Sequence, residues 1–180
     1  MNETILGGQA DVAIGNFLIP ARFLGDISPD FKEGTRETTT LGGKRTQPSG
    51  IMDTAELTFM LYLPSKDYLK HIWADIYNAP SGDQLTGNFN LGAGTCTTRT
   101  PVPVNIHYTC EDNDDNDDHI YSALVAFNYN PTLNDSDGLA VEVTVYAQPT
   151  ENGYIRIGTG DLTQESIYDT ATQATVPTES

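Results

Sequence analysis

The chain has 180 residues, 38% of them apolar, and a formal net charge of −16. That length suits one domain, and no apolar stretch approaches the ~20 residues that a membrane-spanning helix needs. With 25 acids against 9 bases, the composition argues against wrapping of DNA and binding to an anionic membrane, because both need clusters of Lys and Arg. The imbalance is uneven: residues 1–99 hold 11 acids and 8 bases, whereas residues 100–180 hold 14 acids and one base, Arg156. A solvated acidic surface or adaptation to high salt is the plain reading. The first eight residues, Met-Asn-Glu-Thr-Ile-Leu-Gly-Gly, have no basic segment followed by an apolar core, so no secretory signal is expected.

Alternation is the dominant pattern along the chain. Residues 12–14, 17–19 and 21–27 are short strand candidates. Residues 38–50, Thr-Thr-Thr-Leu-Gly-Gly-Lys-Arg-Thr-Gln-Pro-Ser-Gly, are nearly free of apolar groups and are read as a long loop carrying the neighbours Lys44 and Arg45. In 55–63, Leu57, Phe59, Leu61 and Leu63 share one face, opposite Glu56, Thr58, Met60 and Tyr62, as in a half-buried strand. The period then changes. Ser65 suits an N-cap, Asp67 falls in the first turn, and Leu69, Ile72, Trp73, Ile76 and Tyr77 recur at helical spacing. One amphipathic helix of about three turns is therefore expected over 65–78, with Trp73 in the core.

Residues 81–100 are rich in Gly, Thr and Asn and read as irregular. Alternation returns at 102–108 and 139–146; 120–129 reads as a longer strand with apolar residues on both faces, 154–157 as a last short strand, and 134–138 as a hairpin-type turn. Residues 1–168 are taken as one mainly β domain. Residues 169–180, with Val176 as their large apolar group, are taken as a C-terminal arm or flexible tail.

Signs of catalysis are sparse. The three histidines, His71, His107 and His119, sit on the helix, on the polar face of a strand and beside an acidic run. They are not joined to a nucleophile motif, so no catalytic residue is assigned. Gly92-Ala-Gly94 and Gly158-Thr-Gly160 read as turns. Cys96 and Cys110 are too few for a disulfide framework; unpaired thiols are the simpler reading, and a bridge across a bend at 100–104 is the alternative. A zinc site from Cys96, Cys110, His107 and His119 lacks the usual ligand spacing, and no metal site is assigned. The run 111–118, Glu-Asp-Asn-Asp-Asp-Asn-Asp-Asp, could supply oxygen ligands to Ca²⁺. A solvated loop is the simpler reading, with weak Ca²⁺ binding as the alternative, and no cofactor is expected.

Several segments together resemble the major tail tube proteins of tailed bacteriophages. They are Phe23-Leu-Gly25-Asp26-Ile27-Ser28, then Glu37-Thr-Thr-Thr40, then Ile51-Met-Asp53-Thr-Ala-Glu56-Leu-Thr58-Phe59, followed by the amphipathic helix and the late strand Glu142-Val-Thr-Val-Tyr146. The likeness spans residues 17–147. It implies a β-sandwich or barrel-like domain with one flanking helix, six copies forming a ring, and rings stacked into a tube through which DNA passes during ejection. It also implies a virion tail component, assembled in the host cytoplasm, whose partners are itself and other tail proteins.

On that resemblance the 38–50 loop reaches a neighbouring subunit or ring. Lys44 and Arg45 then become candidates for pairing with an acidic surface of the next ring, a head-to-tail contact of the kind that builds filaments. Glu56 and Glu142, which face away from the apolar side of their strands, become candidates to line an acidic lumen that repels phosphate. Two other classes fit the composition. One is a different structural virion part, such as a head decoration, tail terminator or adhesin-like sandwich. The other is a Ca²⁺-dependent carbohydrate-binding module using the 111–118 acids with Tyr121, Tyr129 or Tyr146.

Overall fold

Leu57, Phe59, Leu61 and Leu63 turn one way along their strand, and burying them decides how the rest of the chain packs. The computed structural model describes residues 10–92, 98–108, 116–134 and 138–158. Its strands are β1 (Ala10–Ile14), β2 (Phe17–Ile19), β3 (Leu24–Thr40), β4 (Gly43–Leu63), β5 (Tyr77–Asn78), β6 (Asn88–Phe89), β7 (Val102–Tyr108), β8 (Asp118–Val125), β9 (Thr132–Asn134), β10 (Gly138–Ala147) and β11 (Ile155–Ile157). Nine of them form one sheet in the order β2-β1-β7-β8-β10-β4-β3, with β11 added to β8 and β9 to β10; β5 and β6 pair separately. The pairings within it are antiparallel.

The inward faces of distant strands meet in one apolar cluster. Val12 on β1, Leu57 and Leu61 on β4, Val104 on β7, Ile120 on β8 and Val141 and Val145 on β10 are all fully buried in it. One face of one sheet reaches a common core only if the sheet curls around it, in keeping with the β-sandwich or barrel-like form that the family resemblance implies. The strand near 120–129 is shorter than its pattern, because β8 ends at Val125.

The helical segment departs from expectation. The apolar stripe is placed correctly: Leu69, Ile72 and Trp73 are buried, and Ile76 and Tyr77 are half-buried. The Asp67 N–H donates to Ser65 Oγ at 3.2 Å, so Ser65 does act as a cap. The expected helix over 65–78 is instead one α-turn, α1 (Leu69–Ile72), between 3₁₀ turns at Lys66–Tyr68 and Ala74–Ile76. It breaks at Trp73, whose backbone (φ −110°, ψ 45°) has left the helical region. That indole is 1% exposed and donates from Nε1 to the Ala126 carbonyl at 3.1 Å.

Residues 38–50 also depart from expectation, since they are not a loop. β3 and β4 continue as paired strands to the register Thr40↔Gly43, with Leu41 and Gly42 forming the turn. Gly43 closes it at φ 119°, a region that favours glycine. From Lys32↔Thr54 outward the hairpin runs eight further residues along β3, about 26 Å at ~3.3 Å per residue. Nearly all of it is exposed. Hydrophobic periodicity is silent there because neither face is buried, while the threonines favour extended backbone.

At the hairpin's base, a Cβ on Gly25 would stand 2.9 Å from Met60 Cβ and 3.2 Å from Tyr62 Cε2. Gly25→Val is expected to pry β3 from β4 and cost about 1–3 kcal/mol. Trp73→Ala is expected to cost about 3–5 kcal/mol through the cavity it leaves. Urea unfolding of both variants checks this, and a midpoint unchanged in Trp73→Ala would contradict the core assignment.

Candidate functional site: the outward sheet face and the projecting hairpin

The register that buries Leu57 and Val143 necessarily turns Glu56 and Glu142 outward. Glu56 lies opposite Tyr146 on β10 and Asp30 on β3, and Glu142 lies opposite Met60. The two glutamates are on neighbouring strands and the same face, four residues apart along β4, about 13 Å at ~3.3 Å per residue. Glu142 is exposed and Glu56 half-buried. Ser28, Thr58 and Thr144 fill the space around them, with the Thr58 and Thr144 hydroxyls 3.5 Å apart.

Asp30 was missed from the sequence. Its place opposite Glu56 is a consequence of the β3–β4 register, which no local pattern reveals. Like charges directly opposite are destabilising in a sheet, so this face carries an acidic stripe at some cost. Lys32, next along the same side of β3, pairs with Thr54 and stands at the stripe's margin.

The hairpin separates the two bases that sequence reading grouped together. Lys44 and Arg45 are consecutive on β4 and point to opposite faces. Lys44 Nζ pairs with Glu37 at 2.7 Å. Arg45 lies opposite Thr38, and therefore shares a face with Arg36, which lies opposite Gln47. Arg36 was also missed, because in a stretch read as loop it had no face to belong to. Leu41 at the tip is fully exposed.

Polar groups are also wholly or partly buried on both sides of the β7–β8 pair: Asn105 and His107 meet Asp117 on the outward face, and Tyr108 meets Asp118 on the core side. Asn105 Nδ2 donates to Asp117 Oδ2 at 2.8 Å, and His107 Nδ1 lies 2.8 Å from Asp117 Oδ1. The Tyr108 hydroxyl donates to Asp118 Oδ2 at 2.6 Å. Burial raises both partners of that last bond above their ordinary values. Asp117 and Asp118 are thus built into the sheet, where sequence reading put them in a solvated acidic loop. Residues 111–115, Cys96, Cys110 and the 169–180 segment lie outside the described residues. Among the described residues, no group of three or more His, Cys, Asp and Glu is placed to hold a metal ion, and no helix is long and apolar enough to cross a membrane. The three tyrosines of the carbohydrate reading stand in different settings. Tyr121 is edge-on to His119, Tyr129 is edge-on to Trp73, and Tyr146 lies on the outward face of β10.

His119 is 7% exposed, and its Nδ1 has no hydrogen-bond partner among the described residues. Burial holds its imidazole below the ordinary value; a bond with the Val104 backbone opposes this, and Arg156 adds to it. As pH falls below about 6.5, the unfolded chain takes up this proton first. The contribution of neutral His119 is therefore intact above that pH and is lost as pH falls toward the lower folded value. Wild type should lose more melting temperature between pH 7 and pH 5 than His119→Gln, and parallel profiles would remove His119 as the cause.

The chain matches no family model and no curated protein. Its fold is similar to chains in three cryo-EM structures. One is the PVC sheath/tube terminator of an extracellular contractile injection system in the extended state: 19% identical, TM-score 0.54, covering 82% of this chain and 95% of that one. Another is the PVC sheath-tube complex of an extracellular contractile injection system in the extended state: 15% identical, TM-score 0.54, covering 87% and 94%. The third is the anti-feeding prophage cap, an AFP tube terminating cap: 14% identical, TM-score 0.58, covering 88% and 93%. At these identities the likeness is one of fold. That shared fold does not single out the major tail tube proteins that the sequence motifs suggest.

Proposed function

We propose that this chain is a structural subunit of a tail-like tube, working by self-assembly into rings that stack. The observation that carries this is the extent of the fold likeness. It takes in more than nine-tenths of chains from a sheath-tube complex, a sheath/tube terminator and a tube terminating cap.

In this reading the acidic stripe of Asp30, Glu56 and Glu142 faces a lumen. Such a lining repels phosphate and lets a polyanion slide, the reverse of a basic binding groove. The hairpin, projecting about 26 Å, reaches a neighbouring subunit or ring, with Lys44 and Arg45 within that reach. Ring closure removes the free sheet edge at β3, which is otherwise a template for uncontrolled pairing. The chain then acts within a virion or similar particle, alongside other tail proteins, and its role is mechanical rather than catalytic.

A second reading has specific support. The tube terminating cap gives a TM-score of 0.58 against 0.54 for the sheath-tube complex, so a subunit that ends a tube fits as well as one that builds it. Negative-stain electron microscopy of the purified protein across a range of salt separates the two. Salt screens acid–acid repulsion and should favour assembly. Hollow six-fold rings stacked into tubes are expected for the main reading and isolated hollow rings for the terminator. Uniform small particles at every salt would reject both.

A further inference from the structure

We propose that one face of the β3–β4 hairpin, defined by Arg36 and Arg45, docks on an acidic surface of a second copy of this chain, and that Lys44 takes no part in that contact. The proposal rests on the stacking reading above and names the residues that make the contact.

The register between Thr35↔Pro48 and Thr40↔Gly43 is regular, so side chains alternate strictly. Arg36, Thr38, Thr40, Arg45 and Gln47 lie on one face; Thr35, Glu37, Thr39, Lys44, Thr46 and Pro48 lie on the other. Arg36 and Arg45 are diagonal neighbours, about 7–8 Å apart, and both are exposed. Their face of the hairpin holds no acid. The nearby acids are occupied elsewhere: Glu37 by Lys44 at 2.7 Å, and Glu33 Oε1 by the Gly50 N–H at 2.6 Å. Asp53 sits against Gly34, its Oδ1 2.8 Å from where a Cβ would stand. Neither arginine has an ion-pair partner among the described residues.

Two unpaired cations side by side repel, and a carboxylate partner removes that cost while accepting two parallel N–H bonds from each guanidinium. Another copy of this chain supplies such partners in abundance. Residues 32–54 hold four of the nine bases (Lys32, Arg36, Lys44, Arg45) but three of the 25 acids (Glu33, Glu37, Asp53). The arm is therefore slightly basic and the remainder strongly acidic. A phosphate polymer would also attract two arginines, but two cations fall well short of the Lys and Arg cluster that binding a phosphate backbone needs.

The test compares wild type, R36Q/R45Q and K44Q by sedimentation velocity and electron microscopy. R36Q/R45Q is expected to raise the protein concentration needed for stacking about tenfold or more, equivalent to ~1.4 kcal/mol, while K44Q stays close to wild type. Stacking of R36Q/R45Q at the wild-type concentration overturns the proposal, as does an equal loss in K44Q. A photo-crosslinker at Gln47, on the arginine face, should label a second copy within assembled wild-type-like protein, and one at Thr46, on the opposite face, should not. The reverse pattern overturns the proposal even if R36Q/R45Q fails to fold. Wild type that stays as small particles at every salt rejects the stacking reading and this inference together; assembled wild type with unaffected R36Q/R45Q rejects the inference alone. Arginine-dependent binding of a short single-stranded DNA at ~0.15 M salt, where screening is already strong, would assign the face to phosphate and overturn it as well.

Discussion

The pairing of β4 with β10 is the constraint on which the rest of the molecule depends. Eight consecutive pairs, from Glu56↔Tyr146 to Leu63↔Leu139, fix both strands. Because side chains alternate, a single register decides two surfaces at once. Inward it aligns Leu57, Phe59 and Leu61 with Val145, Val143 and Val141, the centre of the core. Outward it aligns Glu56, Thr58 and Met60 with Tyr146, Thr144 and Glu142. A slip of one residue would bury two glutamates and expose the core, so the acidic face is as strongly specified as the hydrophobic one. No separate signal for that face is needed.

β4 also links the body to the projecting arm. Its lower half is bound on both sides, by β10 and β3. Its upper half, beyond Glu56, keeps β3 as its partner, and an isolated two-stranded hairpin is marginally stable in water. Two of the three irregularities in this pairing fall where the two halves join, between Lys32 and Thr35 on β3; the third is at the strand's start, between Leu24 and Ile27. Such irregularities bend and twist a strand, and here they let the arm leave the curvature of the sheet. Gly34 is at this junction, where Asp53 and Ser49 crowd the position a Cβ would take.

What was legible in the sequence follows from which residues have a buried side. The strands at 55–63, 102–108 and 139–146 stood out because one face of each meets the core. Trp73 was placed correctly by its stripe, but the break in the helix at that residue was not. A stripe records which way side chains face and says little of whether the backbone between them stays α. The hairpin tip was invisible for the opposite reason: with both faces in solvent, nothing forces apolar residues into alternation. That blindness extended to the site. Glu56 and Glu142 could be assigned a face because their neighbours are Leu and Val, whereas Lys44 and Arg45 looked equivalent and Arg36 looked irrelevant until the register separated them. Asp117 was read as solvated because acidic runs usually are, and His119 was placed only as a neighbour of that run. Their burial depends on cross-strand partners, Asn105 and His107 among them, that no local window contains.

The distribution of charge bears on a conflict that composition alone poses. Copies of a chain with net charge −16 repel one another, yet this fold is shared with chains from assembled sheath-tube structures. At ~0.15 M salt the screening length is about 8 Å, so repulsion between bodies fades quickly with distance, and close contacts decide whether association occurs. An arm that reaches about 26 Å beyond the body carries its cations past most of that repulsion before the bodies meet. Neutralising the whole surface would also permit contact, but it would erase the acidic stripe. With four of the nine bases on residues 32–54, the proposed docking would keep both properties: a surface that repels polyanions, and a small face that recognises another copy of it. In this arrangement the internal Glu37–Lys44 pair has a role of its own. It leaves one side of the hairpin neutral, so that under the proposed docking attraction would come from a single direction.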